Sequence, residues 1–166
     1  MNIFKCKKLL VMALIFSTIM VLTHQHLPAD DVFVWGGFQL GAYGGHRGGV
    51  TLAGGEFSLS AQFSRKGYGS VYSFGASEPF GNDDVSEKGF MVGRCFRTRS
   101  TFTGAAVGIG YTSSYSSRLQ GIGVPLKLEG AVIIGGIMAL NLQFRAFIWK
   151  RSYAGISLGL QLGKLR

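Results

Sequence analysis

The feature that most limits what this chain can fold into is a period of two in side-chain character that recurs from residue 32 to the end. In the last segment Ala154, Ile156, Leu158, Leu160 and Leu162 share one parity, while Gly155, Ser157, Gly159, Gln161 and Gly163 share the other. Successive side chains of a strand point to opposite faces, so this is a strand with one bulky aliphatic face and one small polar face. The same dyad runs through Met138 to Trp149, where Leu140, Leu142, Phe144 and Ile148 alternate with Asn141, Gln143, Arg145 and Phe147. It runs through Ile122 to Ile134, and through Glu56 to Ser64, where Phe57, Leu59, Ala61 and Phe63 oppose Glu56, Ser58, Ser60, Gln62 and Ser64. Weaker matches cover Val32 to Gly44, Tyr68 to Ser77 (Tyr72 and Phe74 taken as the bulky face) and Thr101 to Thr112. The stretch Gly89 to Arg99 is ambiguous in phase, because Phe90, Val92 and Phe96 share a parity with Arg94. Eight strands result. No helical apolar stripe occurs after residue 30, and the longest apolar run, Ala131 to Leu140, is cut by Gly135 and Gly136 and leads into Asn141, Gln143 and Arg145, which excludes a membrane-spanning helix.

Alternation alone suits a soluble sandwich as well as a membrane barrel, and the content of the two faces separates them. A soluble sheet turns Lys, Glu, Asp and Thr away from its core, whereas the second face here is Gly, Ser, Ala and amides. Glycine, 26 of 166 residues, far exceeds the ordinary share of roughly 7%. Thirteen Phe, six Tyr and two Trp rule out a disordered chain, and no Gly-X-Y period points to collagen. In a bilayer the requirement is inverted: bulky groups face lipid while small and polar groups fill a narrow interior, with glycine permitting bends and close approach of backbone. The expected fold is all-β, an eight-stranded antiparallel up-and-down transmembrane β-barrel.

Four charged residues, Glu56, Lys127, Glu129 and Arg145, fall in the polar phase of their strands and form the expected polar cluster of the lumen. A turn at Gly135 to Ile137 sets Glu129 opposite Gln143 and diagonal to Arg145, within reach of a long side chain. The two readings are an ion-conducting lumen and a salt-bridged structural plug; the plug is favoured because eight strands leave room only for side chains. Glu78, Asp83, Asp84 and Glu87 fall together in a loop over 78–88. Tyr43, Tyr68, Tyr72, Tyr111, Trp149 and Tyr153 lie near strand ends, either as headgroup-level rings or as core aromatics. Arg65, Lys66, Arg97 and Arg99 fall at turns, as interfacial residues facing lipid phosphate.

The connections sort by length. Short turns at 64–67, 98–101 and 135–137 fall at one end, and the longer polar loops 78–88 and 113–120 at the other, the asymmetry of periplasmic turns and extracellular loops. Ahead of the strands, Lys5, Lys7 and Lys8 precede the uncharged run Leu9 to Leu22, a basic region followed by an apolar helix too short to span a bilayer. Residues 1–29 are thus expected to be a secretory signal peptide, cleaved somewhere in 23–29, and residues 30–166 the barrel domain. That segment has fourteen Lys and Arg against eight Asp and Glu, and Cys95 as its single cysteine, so no disulfide forms within it.

The signal segment, the eight alternating segments and the final strand Tyr153 to Arg166 resemble the small outer-membrane β-barrel proteins of Gram-negative bacteria, the outer-membrane protein A and X type. The ending in Leu165 and Arg166, without a terminal aromatic, looks more like the Bacteroidetes-type members. The resemblance implies residence in the cell outer membrane after Sec-type export, periplasmic termini and delivery by the barrel-assembly machinery.

Catalysis is not expected. His46 is the one histidine after the signal, in a Gly-rich turn without a serine or carboxylate beside it, so no catalytic triad is assembled. One histidine and one cysteine on different segments give no metal-ligand spacing, and Gly44-Gly45 and Gly48-Gly49 are no phosphate loop. No cofactor or metal is expected. The function read from the sequence is a non-enzymatic, monomeric platform in the membrane, for surface interaction or envelope integrity. Its partners are membrane lipids and an extracellular partner met through loops 78–88 and 113–120, with no nucleic acid. The alternatives are a soluble periplasmic carrier barrel holding an apolar ligand and a narrow diffusion pore.

Overall fold

The computed structural model describes residues 33–45, 51–64, 66–79, 84–114, 120–150 and 152–165. The signal segment and the Gly-rich turn holding His46 lie outside them. Eight strands follow in chain order: β1 (Phe33–Gly45), β2 (Thr51–Gln62), β3 (Gly67–Ser77), β4 (Asp84–Arg97), β5 (Thr101–Ser113), β6 (Gln120–Ile134), β7 (Met138–Ile148) and β8 (Tyr153–Gly163). Each pairs antiparallel with its sequence neighbours, and β1 pairs with β8, so the sheet closes into an up-and-down barrel with no free edge.

The two faces follow the alternation. On β8, Ile156, Leu158, Leu160 and Leu162 stand on the outside, and Ser157 and Gln161 are buried inside. On β7, Leu140, Leu142 and Phe144 are outside, and Asn141, Gln143, Arg145 and Phe147 inside. Turns of a few residues join β2 to β3, β4 to β5 and β6 to β7 at the end where β1 begins and β8 finishes, here the turn end. In the last of these turns Gly135 and Gly136 take φ of 65° and 86°, a left-handed backbone that costs side-chain-bearing residues about 1–2 kcal/mol each. The 98–101 turn is closed by Thr98 N–H donating to Thr101 O at 2.9 Å and by the two threonine hydroxyls at 2.8 Å. The other four connections lie at the opposite, loop end.

Two strands differ from the sequence expectation. On β3 the bulky parity is the inner one: Tyr68, Tyr72 and Phe74 are buried, while Val71, Ser73 and Gly75 face out. A narrow lumen must be filled with volume as well as with polarity, and rings that carry a hydroxyl or bed a cation supply both. On β4 the phase is settled and the strand is longer than expected. Asp84 to Lys88 belong to it, in register with β3 through Phe74↔Glu87 and with β5 through Glu87↔Thr112. The connection after β3 is therefore 78–83, not 78–88. Val85 and Glu87 continue the inward parity of Gly89, Met91, Gly93 and Cys95, and Phe90, Val92, Arg94 and Phe96 stand on the outer one.

Candidate functional site

The candidate site is the interior, built by inward side chains of all eight strands. Toward the loop end it centres on Arg145 of β7, whose side chain is wholly buried. Its Nη1 donates to Glu56 Oε2 on β2 in a short charge-assisted bond, and its Nη2 donates to Glu87 Oε1 on β4 at 2.6 Å. The guanidinium also lies 4.2 Å from the Tyr72 ring centroid and 5.0 Å from that of Phe74, so aromatic faces cover what the carboxylates leave. Tyr72 and Tyr153 donate their hydroxyls to the two oxygens of Glu87 in short bonds, and Gln143 Nε2 donates to Glu56 at 3.0 Å.

Below it, toward the turn end, Glu129 of β6 collects four donors. Tyr68 Oη lies at 2.7 Å and Lys127 Nζ at 3.1 Å from Oε1, and Asn141 Nδ2 and Gln161 Nε2 each lie at 3.0 Å from Oε2. A buried ion pair roughly offsets its desolvation only when its remaining hydrogen-bonding capacity is met, which is the arrangement around Glu129.

Aromatic layers bracket the two clusters. At the loop end Tyr153 stacks on Phe74 and Phe147, with centroids 5.2 and 5.7 Å away, and Tyr43 meets Phe74 edge-on at 4.8 Å. At the turn end Trp35 packs edge-on against Phe102 at 5.4 Å. The Arg97 guanidinium lies 4.3 Å from the Phe33 centroid and donates from Nη1 to Leu165 O at 2.9 Å. Leu165 N–H in turn donates to Gly136 O, and the Leu165 side chain is buried. Glycines make room where these groups crowd: a Cβ on inward Gly110 would come within 2.9 Å of Glu87 Oε1 and 3.1 Å of the Phe147 ring.

Of the four residues expected to share the lumen, all are buried, but they divide between two clusters. Glu129 is opposite Gln143 in register, as expected. Its ionic partner is Lys127, however, while Arg145 is turned to Glu56 and Glu87. Glu87, assigned to a loop from the sequence, is the residue missed; its signal was the dyad Val85-Glu87-Gly89 continuing the inward parity of β4. Tyr43, Tyr68, Tyr72 and Tyr153 are core aromatics inside the barrel and not headgroup-level rings, whereas Tyr111 is exposed. Arg97 faces the interior mouth, and Lys66 and Arg99 are exposed. Among the described residues no group of three or more His, Cys, Asp or Glu is placed to hold a metal ion.

No protein-family model and no curated protein matches the chain in sequence. Solved structures do match in fold. Neisserial surface protein A is 12% identical over 79% of this chain and 96% of its own, with a TM-score of 0.58. Ail, the attachment invasion locus protein of Yersinia pestis, is 10% identical over 80% of this chain and 97% of its own, at 0.56. A backbone structure of the same Yersinia pestis outer membrane protein in a phospholipid bilayer nanodisc gives 8% identity, 78% and 98% coverage and 0.51. This chain has the eight-stranded closed-barrel fold of these small outer-membrane proteins.

Proposed function

We propose that this chain is a non-enzymatic outer-membrane protein that crosses the bilayer on its eight strands. Its polar side chains close the lumen, and its four loop-end connections face outward for surface interaction or envelope integrity. One observation carries the reading: polarity is inverted. Among the described residues twenty-four large apolar side chains are exposed, with Leu158 at 67% and Phe57 at 64%, while Arg145, Glu56, Lys127 and Glu129 are buried. Leaving that apolar surface in water, at about 25 cal/mol per Å², would oppose folding or force association, and in lipid it carries no such cost.

A soluble carrier needs the opposite distribution, an apolar interior and a charged exterior. The packed interior also argues against a diffusion pore, since ion pairs and stacked rings occupy the space an ion would cross. The test is expression in a Gram-negative host with membrane fractionation, carbonate washing and gel mobility with and without heating. The reading expects a carbonate-resistant outer-membrane band whose mobility shifts on heating. Release by carbonate would overturn it in favour of the carrier, and discrete conductance steps in planar bilayers would overturn the closed lumen.

A further inference from the structure

Arg97 is the last residue of β4, and its side chain reaches across the turn-end mouth of the barrel. Its Nη1 donates to Leu165 O at 2.9 Å, just beyond the end of β8. β4 and β8 stand half the ring apart, so the two ends of this bond come from opposite walls. The far end is fixed: Lys164 N–H donates to Val34 O at 2.9 Å, Leu165 N–H donates to Gly136 O at 3.0 Å, and the Leu165 side chain is buried. Between the walls the guanidinium is bedded on rings, 4.3 Å from the Phe33 centroid, 5.1 Å from Trp35 and 5.3 Å from Phe102.

This hold differs in kind from that on Arg145. Arg145 is wholly buried between two carboxylates, whereas among the described residues no carboxylate pairs with Arg97, and its Nε and Nη2 have no hydrogen-bond partner. One neutral carbonyl and the rings retain it at a half-buried rim. Because Arg97 ends its strand, a change of rotamer carries the guanidinium from the mouth into solvent without breaking a bond of the ladder. Directly inside, one inward step along β4, Cys95 is buried. Its register partner is Gly104, where a Cβ would lie 3.2 Å from Tyr68 Oη and 3.3 Å from Glu129 Cγ, so the thiol sits between the mouth and the Glu129 cluster.

We infer that Arg97 is a movable bar across the turn-end mouth. Latched on Leu165, it closes the lower lumen, from Cys95 to the Glu129 cluster. Swung outward, it opens that compartment to small polar solutes while the eight strands stay paired. The ion pairs of Arg145 still close the barrel above, so the opened compartment is a pocket reached from one end and not a pore. The bar depends on the interior alone and works alike whether the outer face meets lipid or water.

The native thiol reports the opening. The full chain carrying C6S, which leaves Cys95 as its single cysteine, is folded in mild detergent that leaves both ends of the barrel accessible. It is treated with iodoacetamide, a small neutral alkylating agent, and followed by intact mass. Slow alkylation is expected for this parent. R97A is expected to react about tenfold faster, the factor for losing a hydrogen bond to a charged group, and R97K, which spans the same gap with a donor, to regain most of the protection. F33A, which removes the nearest ring and keeps Arg97, is expected to fall between parent and R97A. Hydrogen exchange along Leu158 to Leu162 and heat-shifted gel mobility are expected to stay as in the parent for each variant, because the strands remain paired. Parent-like alkylation of R97A overturns the bar, and so does an R97K variant that reacts as fast as R97A. Faster alkylation that comes with lost exchange protection along β8 overturns it in favour of opening of the whole barrel. Should R97A lack the heat-shifted band of a folded barrel, F33A decides by the same reading, and parent-like alkylation of F33A overturns the bar.

Discussion

Arg145 on β7 donates from Nη2 to Glu87 on β4 at 2.6 Å, so an ion pair spans the lumen between strands that share no edge of the sheet. Glu56 of β2 takes the other arm of the guanidinium. Three strands spread around the barrel are thereby tied at one point, something no ladder of neighbouring backbone bonds does.

Removing the cation from this point leaves two carboxylates buried without it. Arg145→Met is expected to cost about 3–5 kcal/mol, the usual penalty of breaking a buried pair from one side. The triple variant E56Q/E87Q/R145M keeps donors and acceptors for Tyr72, Tyr153 and Gln143 but strands no charge. It is expected to be more stable than Arg145→Met alone. Equilibrium unfolding by urea from phosphatidylcholine vesicles measures both, and a triple variant weaker than the single one would sink the account.

Glu129 invites a finer dissection, because its four donors differ in charge. Tyr68→Phe removes one neutral hydrogen bond and is expected to cost about 0.5–1.5 kcal/mol. Glu129→Leu strands the Lys127 ammonium and three other donors and is expected to cost about 3–5 kcal/mol, part of which K127M restores in the double variant. The same unfolding measurement reads all three, and equal losses for Tyr68→Phe and Glu129→Leu would remove Glu129 from the centre of its cluster.

Much of the fold was legible in the sequence, and where it was not the reason is physical. On β6, β7 and β8 an outward row of aliphatics opposes an inward row of mostly small and polar residues, so parity alone assigns the faces. On β3 it misleads, because hydrophobicity ranks Tyr72 and Phe74 as lipid-facing while Arg145 needs their rings inside. Glu87 was hidden by its neighbours: Asp84, Ser86 and Lys88 on the outer parity near the loop end make the stretch read as a loop, though Glu87 itself points in. The partner of Arg145 follows from the closure of the barrel, which brings β4 and β7 to face each other; no local spacing encodes that.

Gly110 and Gly130 make a matched pair for testing how tightly the lumen is filled. A Cβ on Gly110 would press on Glu87 and Phe147, whereas one on outward Gly130 meets nothing within 4 Å. Gly110→Ala is expected to destabilise by about 1–3 kcal/mol, the range for overpacking, and Gly130→Ala to be neutral or slightly stabilising. Their unfolding midpoints, compared under one condition, decide it; indifference at Gly110 would mean a lumen with slack.

The outer face supplies the sharpest distinction between a barrel in lipid and a barrel in water. Leu158, 67% exposed, sits midway along β8 with Leu40 and Leu142 as its register partners on either side, themselves 59% and 54% exposed. A lysine there would place an ammonium near the middle of the belt, so Leu158→Lys is expected to cost about 2–4 kcal/mol in a bilayer. In water the same change at so exposed a position costs no more than about 0.5 kcal/mol. Ile137, 71% exposed in the β6–β7 turn, provides the comparison at the rim, where Ile137→Lys is expected to cost about 0–1 kcal/mol in the same vesicles. The difference between the two lysines, read from urea unfolding of the vesicle-inserted protein, reports depth in the bilayer and not exposure, since exposure is similar at both. Equal, small losses at 158 and 137 would show that Leu158 faces water, and with it the whole apolar belt.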